Sequence, residues 1–190
     1  MRIVAGRWRG LALADLGAGD AAAHLRPTSD RVREALFNVL TQGAHGNRVK
    51  GVRVLDLFAG TGALGLEALS RGAALAAFVD DGAKACALLH ANLDKTRAGG
   101  ITRVFRRDAT RLGPNRDAPY ALIFLDPPYG AGLGERALES ARNGGWIAPG
   151  ATIAWEEGGT ITPPGWTRVL DARRYGGTQV TILEAVPEAT

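Results

Sequence analysis

The sequence predicts a doubly wound α/β fold, in which helices cover both faces of a mostly parallel sheet with an antiparallel edge. Apolar strand-like runs alternate with helical patterns from residue 52 onward, which is typical of a parallel sheet. The last two strand-like segments are instead joined by Gly176-Gly177-Thr178, a short connection suited to a hairpin. These patterns predict seven strands, of which the final pair forms the antiparallel edge.

Three elements are predicted ahead of the sheet. Residues 2–13 read as two short strands around a glycine-containing turn, a basic hairpin with Trp8 near its tip. Residues 15–25 are rich in Gly and Ala without apolar periodicity, which indicates a mobile connecting loop. A helix follows, with Thr28 or Ser29 as its N-cap and an apolar stripe that reaches Leu40.

The elements of the sheet then alternate until the final hairpin. The pattern predicts strands at residues 52–58, 74–79, 101–106, 120–125, 151–155, 167–175 and 179–185. It predicts the intervening helices at residues 63–71, 81–95 and 134–142.

Length and composition restrict the class of protein. With 190 residues, of which 46% are hydrophobic, the chain suits one compact domain with a modest extension. We expect a hairpin and loop at residues 1–25, the main domain at 26–186 and a frayed tail at 187–190. No apolar run approaches the roughly 18 residues of a membrane span, and the N-terminus lacks the apolar region of a signal peptide. We therefore expect a cytoplasmic monomer without a membrane partner.

The positive charge is concentrated near the N-terminus. Residues 1–53 hold nine basic and four acidic groups, a net charge of +5, whereas the whole chain carries +4. All the excess positive charge thus precedes the motifs described below. This distribution is expected if the N-terminal part contacts a phosphate backbone, although the preference for arginine over lysine also fits a bias of genome composition.

The most informative motif is Asp126-Pro127-Pro128-Tyr129, directly after the apolar run 120–125. An amine conjugated to a ring is a poor nucleophile because its lone pair is delocalised, so an enzyme must hold that nitrogen with rigid acceptors. The Asp126 carboxylate and the Pro127 carbonyl are such acceptors, and Tyr129 can stack on a base. The alternative is an ordinary strand-ending turn with a surface aspartate and a partly buried tyrosine.

A second motif follows the first predicted strand. Gly60, Gly62 and Gly65 have the spacing of glycines in dinucleotide-binding folds. In a nicotinamide site, however, a carboxylate at the strand end, here Asp56, would repel the pyrophosphate. Such a carboxylate suits a ligand that bears an ammonium and a sulfonium. The sequence therefore favours S-adenosylmethionine, and a nicotinamide cofactor is the alternative.

Acidic residues also end the next two strands. Asp80 lies 20 residues after Gly60, where a carboxylate can accept both ribose hydroxyls. Asp108 can accept the adenine amino group while the backbone N–H of Ala109 meets ring N1. Asp108 alone is equally well read as a turn aspartate, but acids at three successive strand ends favour a ligand, since ligands bind at those ends.

These arguments give a set of cofactor-binding candidates and no metal site. The predicted cofactor-binding residues are Asp56, Phe58, Gly60, Thr61, Gly62, Asp80, Asp108 and Ala109. The single cysteine, Cys86, falls in a helical pattern and is read as part of the core. No metal-ligand cluster is recognisable, so no metal is expected.

With both motifs in place, the chain resembles the bacterial 16S rRNA guanine-N2 methyltransferase family over almost its full length. The resemblance is carried by residues 2–10, 26–38, 56–68 and 126–129. The last two stretches occur in many amino-methyltransferases, whereas the first two are more particular to this family. The resemblance implies a Rossmann-like class I methyltransferase fold. It also implies methyl transfer from S-adenosylmethionine to the exocyclic N2 of one guanine of 16S rRNA, position 966 in the family.

The resemblance further implies that the N-terminal hairpin and the segment from residue 26 contribute to RNA or cofactor contact, within a small-subunit assembly. The predicted RNA-binding residues are Arg7, Trp8, Arg9, Arg26, Arg31 and Arg33. Trp8 fits a second role equally well, as a cap of the hairpin on the main domain. Arg31 and Arg33 also fit an ordinary solvated helix face. The chain departs from the family at Asp80, where glutamate is common.

In this interpretation the catalytic residues are Asp126, Pro127 and Tyr129. Three other hypotheses stay open at this point. The motif also suits an amino-methyltransferase that acts on DNA adenine N6 or on a protein glutamine. A non-catalytic RNA-binding assembly factor and a nicotinamide oxidoreductase are the others.

Overall fold

Seven strands form one sheet in the computed structural model, which describes residues 1–14 and 29–186. The strands are β1 Arg53–Leu57, β2 Leu75–Asp80, β3 Thr102–Arg106, β4 Tyr120–Leu125, β5 Ile147–Glu157, β6 Thr167–Tyr175 and β7 Thr178–Ala185. Their order across the sheet is β3-β2-β1-β4-β5-β7-β6. Strands β1 to β5 pair in parallel, and β7 runs antiparallel to both β5 and β6. The predicted doubly wound sheet with an antiparallel edge is confirmed.

Helices cover both faces of this sheet. They are α1 Asp30–Gln42, α2 Ala63–Ser70, α3 Ala83–Thr96 and α4 Leu133–Asn143, with short 3-10 helices at Gly99–Ile101 and Ala109–Arg111. Side chains alternate along each strand between two buried clusters. The first face packs against α1, α2 and α3, and its strand residues include Val54, Phe78, Phe124 and Ala154. The second face packs against α4, and its strand residues include Leu55, Leu57, Leu125 and Trp155.

The predicted bounds hold to within two residues for every element of the sheet except β5. This strand was predicted at residues 151–155 and extends over Ile147–Glu157. Its pairing with β4 shifts register between Tyr120 and Leu122. The irregularity lies where Pro149 and Gly150 interrupt the apolar pattern, and Gly150 has a φ of 71°. An interrupted pattern conceals a bulged strand because it lacks the period of two.

The N-terminal arm, residues 1–14, forms the predicted hairpin, with sides too short to be counted among the named strands. An antiparallel bridge joins Arg2 and Ala12, and three backbone bonds of 2.8–3.1 Å cross between the two sides, in which the amides of Ile3, Gly10 and Leu13 donate. Val4 and Ala5 donate instead to the Glu67 carboxylate of α2, at 2.8 and 3.0 Å. The arm is thus held both by its own cross-strand bonds and by a helix.

Helix α1 begins as predicted at Ser29, whose hydroxyl accepts a bond of 3.2 Å from the amide of Val32. The alternative cap Thr28, the predicted loop, the RNA-binding candidate Arg26 and the tail 187–190 lie outside the described residues.

Among the described helices, none has the length and apolar character needed to cross a membrane. Within residues 1–14 and 29–186, no cluster of His, Cys, Asp and Glu side chains is arranged to hold a metal ion. Cys86 is buried, as predicted from its place in the helical pattern.

Candidate active site

Two segments lie side by side at the carboxyl edge of the sheet. One is the glycine-rich loop, and the other is Asp126-Pro127-Pro128-Tyr129, called the Asp126 corner below. Leu57 of β1 pairs in register with Leu125 of β4. Phe58 and Asp126 are therefore the next residues on neighbouring parallel strands, which are spaced about 4.8 Å apart. The two motifs are 68 residues apart in the chain, and the register brings them together.

Asp56 is a buried carboxylate at this edge of the sheet, and the space bounded by Asp56, Asp80 and the glycine-rich loop is called the cleft below. Its side chain is 2% exposed, and its Oδ2 accepts a hydrogen bond of 2.8 Å from the amide of Gly65. Burial, with a smaller contribution from the charge of Asp80, raises the pKa of Asp56 to about 8, although the bond from Gly65 opposes the shift. A buried acid of this kind is stabilised in its charged form when a cation binds beside it.

The loop after β1 turns sharply over that carboxylate. Phe58, Gly60 and Gly62 have φ values of 59°, 54° and 79°, in the left-handed region that disfavours most side chains. Gly65 has ordinary backbone, but a Cβ there would overlap the ring of Phe78 and lie 3.1 Å from Asp56 Oδ2. The backbone of the loop and the start of α2 therefore lie close to Asp56, with no room for a side chain between them.

Asp80 ends β2 and holds the same loop. Its Oδ2 accepts a bond of 2.8 Å from the amide of Gly60, and its Oδ1 accepts one of 2.9 Å from the amide of Gly82. Burial raises the pKa of Asp80, and the two amide bonds oppose that shift. A carboxylate oxygen has two lone pairs, so both oxygens keep capacity for the ribose hydroxyls predicted to bind here.

Asp108 follows β3 and caps the 3-10 helix that begins with the buried Ala109. Its Oδ1 accepts bonds from the Thr110 hydroxyl at 2.7 Å and from the Thr110 amide at 2.8 Å. The hydroxyl bond is the main reason that the pKa of Asp108 is lowered. Asp108 therefore acts as a turn residue, as the alternative interpretation predicted. It also lies at a strand end, next to the strand that ends with Asp80.

The Asp126 corner is fixed by the end of β5 and the start of β7. The Tyr129 hydroxyl donates to Glu156 Oε1 at 3.2 Å and lies 3.2 Å from the Thr178 hydroxyl. Its ring lies against Gly158, where a Cβ would come within 2.6 Å of the ring. Burial and the charges of Glu156 and Asp126 raise the pKa of Tyr129 to about 12, and the bond to Thr178 opposes this. Tyr129 is 36% exposed, so part of its ring is accessible to a ligand.

The chemistry of this edge fits S-adenosylmethionine. A buried carboxylate, a second carboxylate at a strand end and a backbone with no room for side chains are arranged along one cleft. These groups suit a ligand that carries cations, ribose hydroxyls and a ring. Asp56, Asp80 and the loop Gly60-Thr61-Gly62 are the residues that would hold it.

The arginines predicted to bind RNA fall into two groups. Arg7, Arg9 and Arg31 are exposed, and Arg9 and Arg31 line one groove between the arm and α1. Arg33 is 0% exposed and pairs with the equally buried Glu67. The prediction that Arg33 binds RNA and the alternative that it lies on a solvated helix face are both wrong, because Glu67, Asp30 and the carbonyl of Arg2 hold its guanidinium inside the fold.

Trp8 takes the second of the two roles considered for it. Its indole is half-buried against the first-face cluster, and its backbone amide donates to the Ser70 hydroxyl at 3.0 Å. The Arg7 guanidinium covers the ring at 3.9 Å from the centroid. Trp8 therefore anchors the arm to α2, and one face of its ring is covered by the Arg7 guanidinium.

A family model described as "Conserved hypothetical protein 95" matches residues 1–184. The chain belongs to this family. Ribosomal RNA small subunit methyltransferase D of Escherichia coli K12 is 39% identical to it over 86% of this chain and 79% of that protein. The protein of the same name from Haemophilus influenzae is 35% identical over 88% of this chain and 85% of its own length. The resemblance found in the sequence is thereby confirmed.

A solved structure of a putative methyltransferase has a fold similar to that of this chain. The structure of yhhF from Escherichia coli aligns with a TM-score of 0.82 at 34% identity, and the alignment covers 99% of both chains. The class I methyltransferase fold implied by the resemblance is confirmed.

Sequence reasoning missed two residues of the cleft. Asn92 of α3 is 0% exposed and donates from Nδ2 to the carbonyls of Thr61, at 3.0 Å, and Ala14, at 3.1 Å. Its Oδ1 accepts from the amide of Ala14 at 2.7 Å. No local motif predicts that Asn92 joins Thr61 and Ala14, because both partners are distant from it in the sequence. Glu156 directly follows the predicted fifth strand, so the strand-end rule that selected the other acids would have selected it as well.

Proposed function

We propose that this protein transfers a methyl group from S-adenosylmethionine to the exocyclic N2 of a guanine in 16S rRNA, at the nucleotide that its family modifies. The observation that carries the proposal is the register of β1 with β4, which sets the Asp126 corner beside the glycine loop. The names of the relatives, which are small-subunit rRNA methyltransferases, support rRNA as the substrate. The guanine and its N2 rest on the resemblance and on the corner's chemistry.

The acceptor side of the reaction is assigned to the corner. Asp126 and the Pro127 carbonyl accept hydrogen bonds from the two N2 protons and draw the nitrogen lone pair out of conjugation. Pro127 is buried and Pro128 half-buried, so the carbonyl is held by two fixed φ angles. The hydroxyl of Tyr129 is held by its hydrogen bond to Glu156, and the accessible part of the ring stacks on the flipped base.

The donor side is assigned to the cleft of β1 and β2. S-adenosylmethionine, when bound, supplies an electrophilic methyl carbon on a sulfonium. Asp56 is placed to meet the ammonium of the donor, and Asp80 to meet the ribose. The nitrogen that gains the methyl group loses its proton to water. No group of the chain is required to act as a strong base, which fits a corner built from acceptors of low basicity.

The proposal divides the chain by role. Residues 1–25 are assigned to RNA contact, residues 26–186 to methyl transfer, and residues 187–190 to neither role. Arg7, Arg9, Arg26 and Arg31 are assigned to the phosphate backbone of an rRNA in a small-subunit assembly. The protein acts in the cytoplasm as a monomer.

The proposal is tested by locating the methyl group that the protein adds. A strain that lacks the gene should show one unmethylated guanine in 16S rRNA by mass spectrometry, and the purified protein with labelled donor should restore it. Label in the DNA or protein fraction instead would identify another amino group as the target. Calorimetry that showed no binding of S-adenosylmethionine would indicate a non-catalytic assembly factor.

A further inference from the structure

A further carboxylate lies beside the Asp126 corner. Glu156 is the penultimate residue of β5, and it is 7% exposed. Trp155, which precedes it, pairs in register with Leu125. Glu156 and Asp126 therefore occupy equivalent places on neighbouring parallel strands.

Strand geometry puts the two carboxylates on the same face. Phe124 and Ala154, two residues before each acid, are both buried in the first-face cluster. Side chains two residues apart on a strand share a face. Glu156 continues one row of that face within β5, and Asp126 directly follows the end of the adjacent row in β4. Asp56 belongs to a third row, because it pairs with Phe124.

Tyr129 joins the two carboxylates around one space. Its hydroxyl donates to Glu156 at 3.2 Å. The negative charges of both Glu156 and Asp126 contribute to the raised pKa of the Tyr129 phenol, so both acids lie within electrostatic reach of it. A base that stacks on the accessible face of Tyr129 would present its edge to these acids.

We propose that Glu156 selects guanine by accepting a hydrogen bond from its N1–H, while Asp126 and the Pro127 carbonyl hold N2. This inference rests on the proposed guanine-N2 activity and deepens it. Guanine offers N1–H and the N2 amino group side by side as donors, and an ionised carboxylate only accepts. A base with a lone pair at position 1 would place that lone pair against a carboxylate oxygen of the buried Glu156, and two acceptors that face each other repel.

The decisive probe is 2-aminopurine, which keeps the amino group of guanine but has an acceptor at position 1. Small-subunit particles would be assembled from 16S rRNA that carries guanine or 2-aminopurine at the methylated position. The measured quantity is the ratio of kcat/KM for the two particles. Because both are assayed with one enzyme preparation, the ratio does not depend on the fraction of active protein.

We expect the wild type to prefer guanine and Glu156→Gln to reduce that preference at least about tenfold, since an amide can donate to the lone pair at position 1. Glu156→Asp keeps an acceptor, so it should retain the preference while turnover falls. An unchanged ratio in Glu156→Gln would overturn the inference. If the wild type methylates no guanine in either particle, the proposed function itself fails and the inference falls with it.

Two further variants separate a direct role from an indirect one. Glu157→Gln makes the same chemical change one residue along, where the carboxylate accepts from the amides of Gly130 and Gly158 at 3.3 and 3.0 Å. It should leave the ratio unchanged even if both rates fall. Tyr129→Phe removes the hydroxyl bond to Glu156 and should also preserve the ratio. A loss of preference in Tyr129→Phe equal to that in Glu156→Gln would show that Glu156 acts only by positioning the ring.

Discussion

The Asp56 carboxylate accepts a hydrogen bond of 2.8 Å from the amide of Gly65. This bond fixes the first turn of α2 to the end of β1. The bond crosses the floor of the proposed donor cleft. It links a buried acid to the backbone that must approach the ligand. Both partners can be changed separately.

Asp56→Asn should make the ligand-free protein more stable at neutral and alkaline pH. The pKa of Asp56 is raised to about 8 from 3.8, so the folded state holds a proton that the unfolded state loses as pH rises between those values. This contribution to stability is complete below about pH 4 and is lost as pH rises through about 8. Asn is neutral throughout. The advantage of the variant in denaturant unfolding should grow from pH 4 to 8 and then level off, and a constant difference would contradict the shift.

Gly65→Ala should weaken donor binding at least about tenfold and destabilise the fold, because its Cβ would overlap the Phe78 ring and crowd Asp56. Calorimetry with S-adenosylmethionine and thermal unfolding measure the two effects. Gly99→Ala is the matched control, since a Cβ there has nothing within 4 Å. Equal donor affinities in the two variants would show that the close approach at Gly65 is not needed.

Asp126→Asn should reduce kcat about 100-fold or more while donor affinity stays near that of the wild type. The substitution keeps the size of the side chain but replaces one acceptor oxygen with a donor that repels the N2 protons. Single-turnover methylation and donor calorimetry give the two quantities. Asp171→Asn makes the same change on β6, far from the cleft in the sheet order. Retained turnover would remove Asp126 from the catalytic set.

Asn92→Asp should weaken donor binding by loosening the glycine loop. The carboxylate can still accept from the amide of Ala14, but it cannot donate to the carbonyls of Thr61 and Ala14. Two partly buried acceptors then lose their donor and face a negative charge. Asn143→Asp, on the exposed end of α4, controls for the change of charge. The bridge would be irrelevant to the site if both variants bound the donor like the wild type.

Glu67→Gln should lower the free energy of unfolding by about 3 kcal/mol, since it removes the buried one of the two carboxylates beside the buried Arg33 and leaves the half-exposed Asp30. It also weakens the bonds that the amides of Val4 and Ala5 donate to Glu67, so the arm should become more accessible to hydrogen exchange. Glu139→Gln, on the exposed face of α4, should change stability by only a few tenths of a kcal/mol. A loss in stability without increased exchange in residues 1–14 would show that the arm is held elsewhere.

The strands of the sheet, its antiparallel edge and the acids of the donor cleft were predictable because they obey local rules. Alternating patterns define the strands, and the carboxyl ends of parallel strands place Asp56, Asp80 and Asp126 on one edge. The prediction for Arg33 was wrong because its buried partner Glu67 lies on another helix, and a sequence pattern does not show which helices pack together. Asn92 was missed for the same reason. Contacts between distant segments depend on packing, and no periodicity encodes them.

The edge strand β6 has a consequence for solubility. A strand at the margin of a sheet exposes unpaired backbone groups that can recruit a strand from another molecule. Here that margin is interrupted by an irregularity between Val169 and Asp171. It also carries Arg168, Asp171, Arg173 and Arg174, whose charges would have to be brought together in any edge-to-edge association. Replacing these residues with apolar ones should produce aggregates before it impairs methylation.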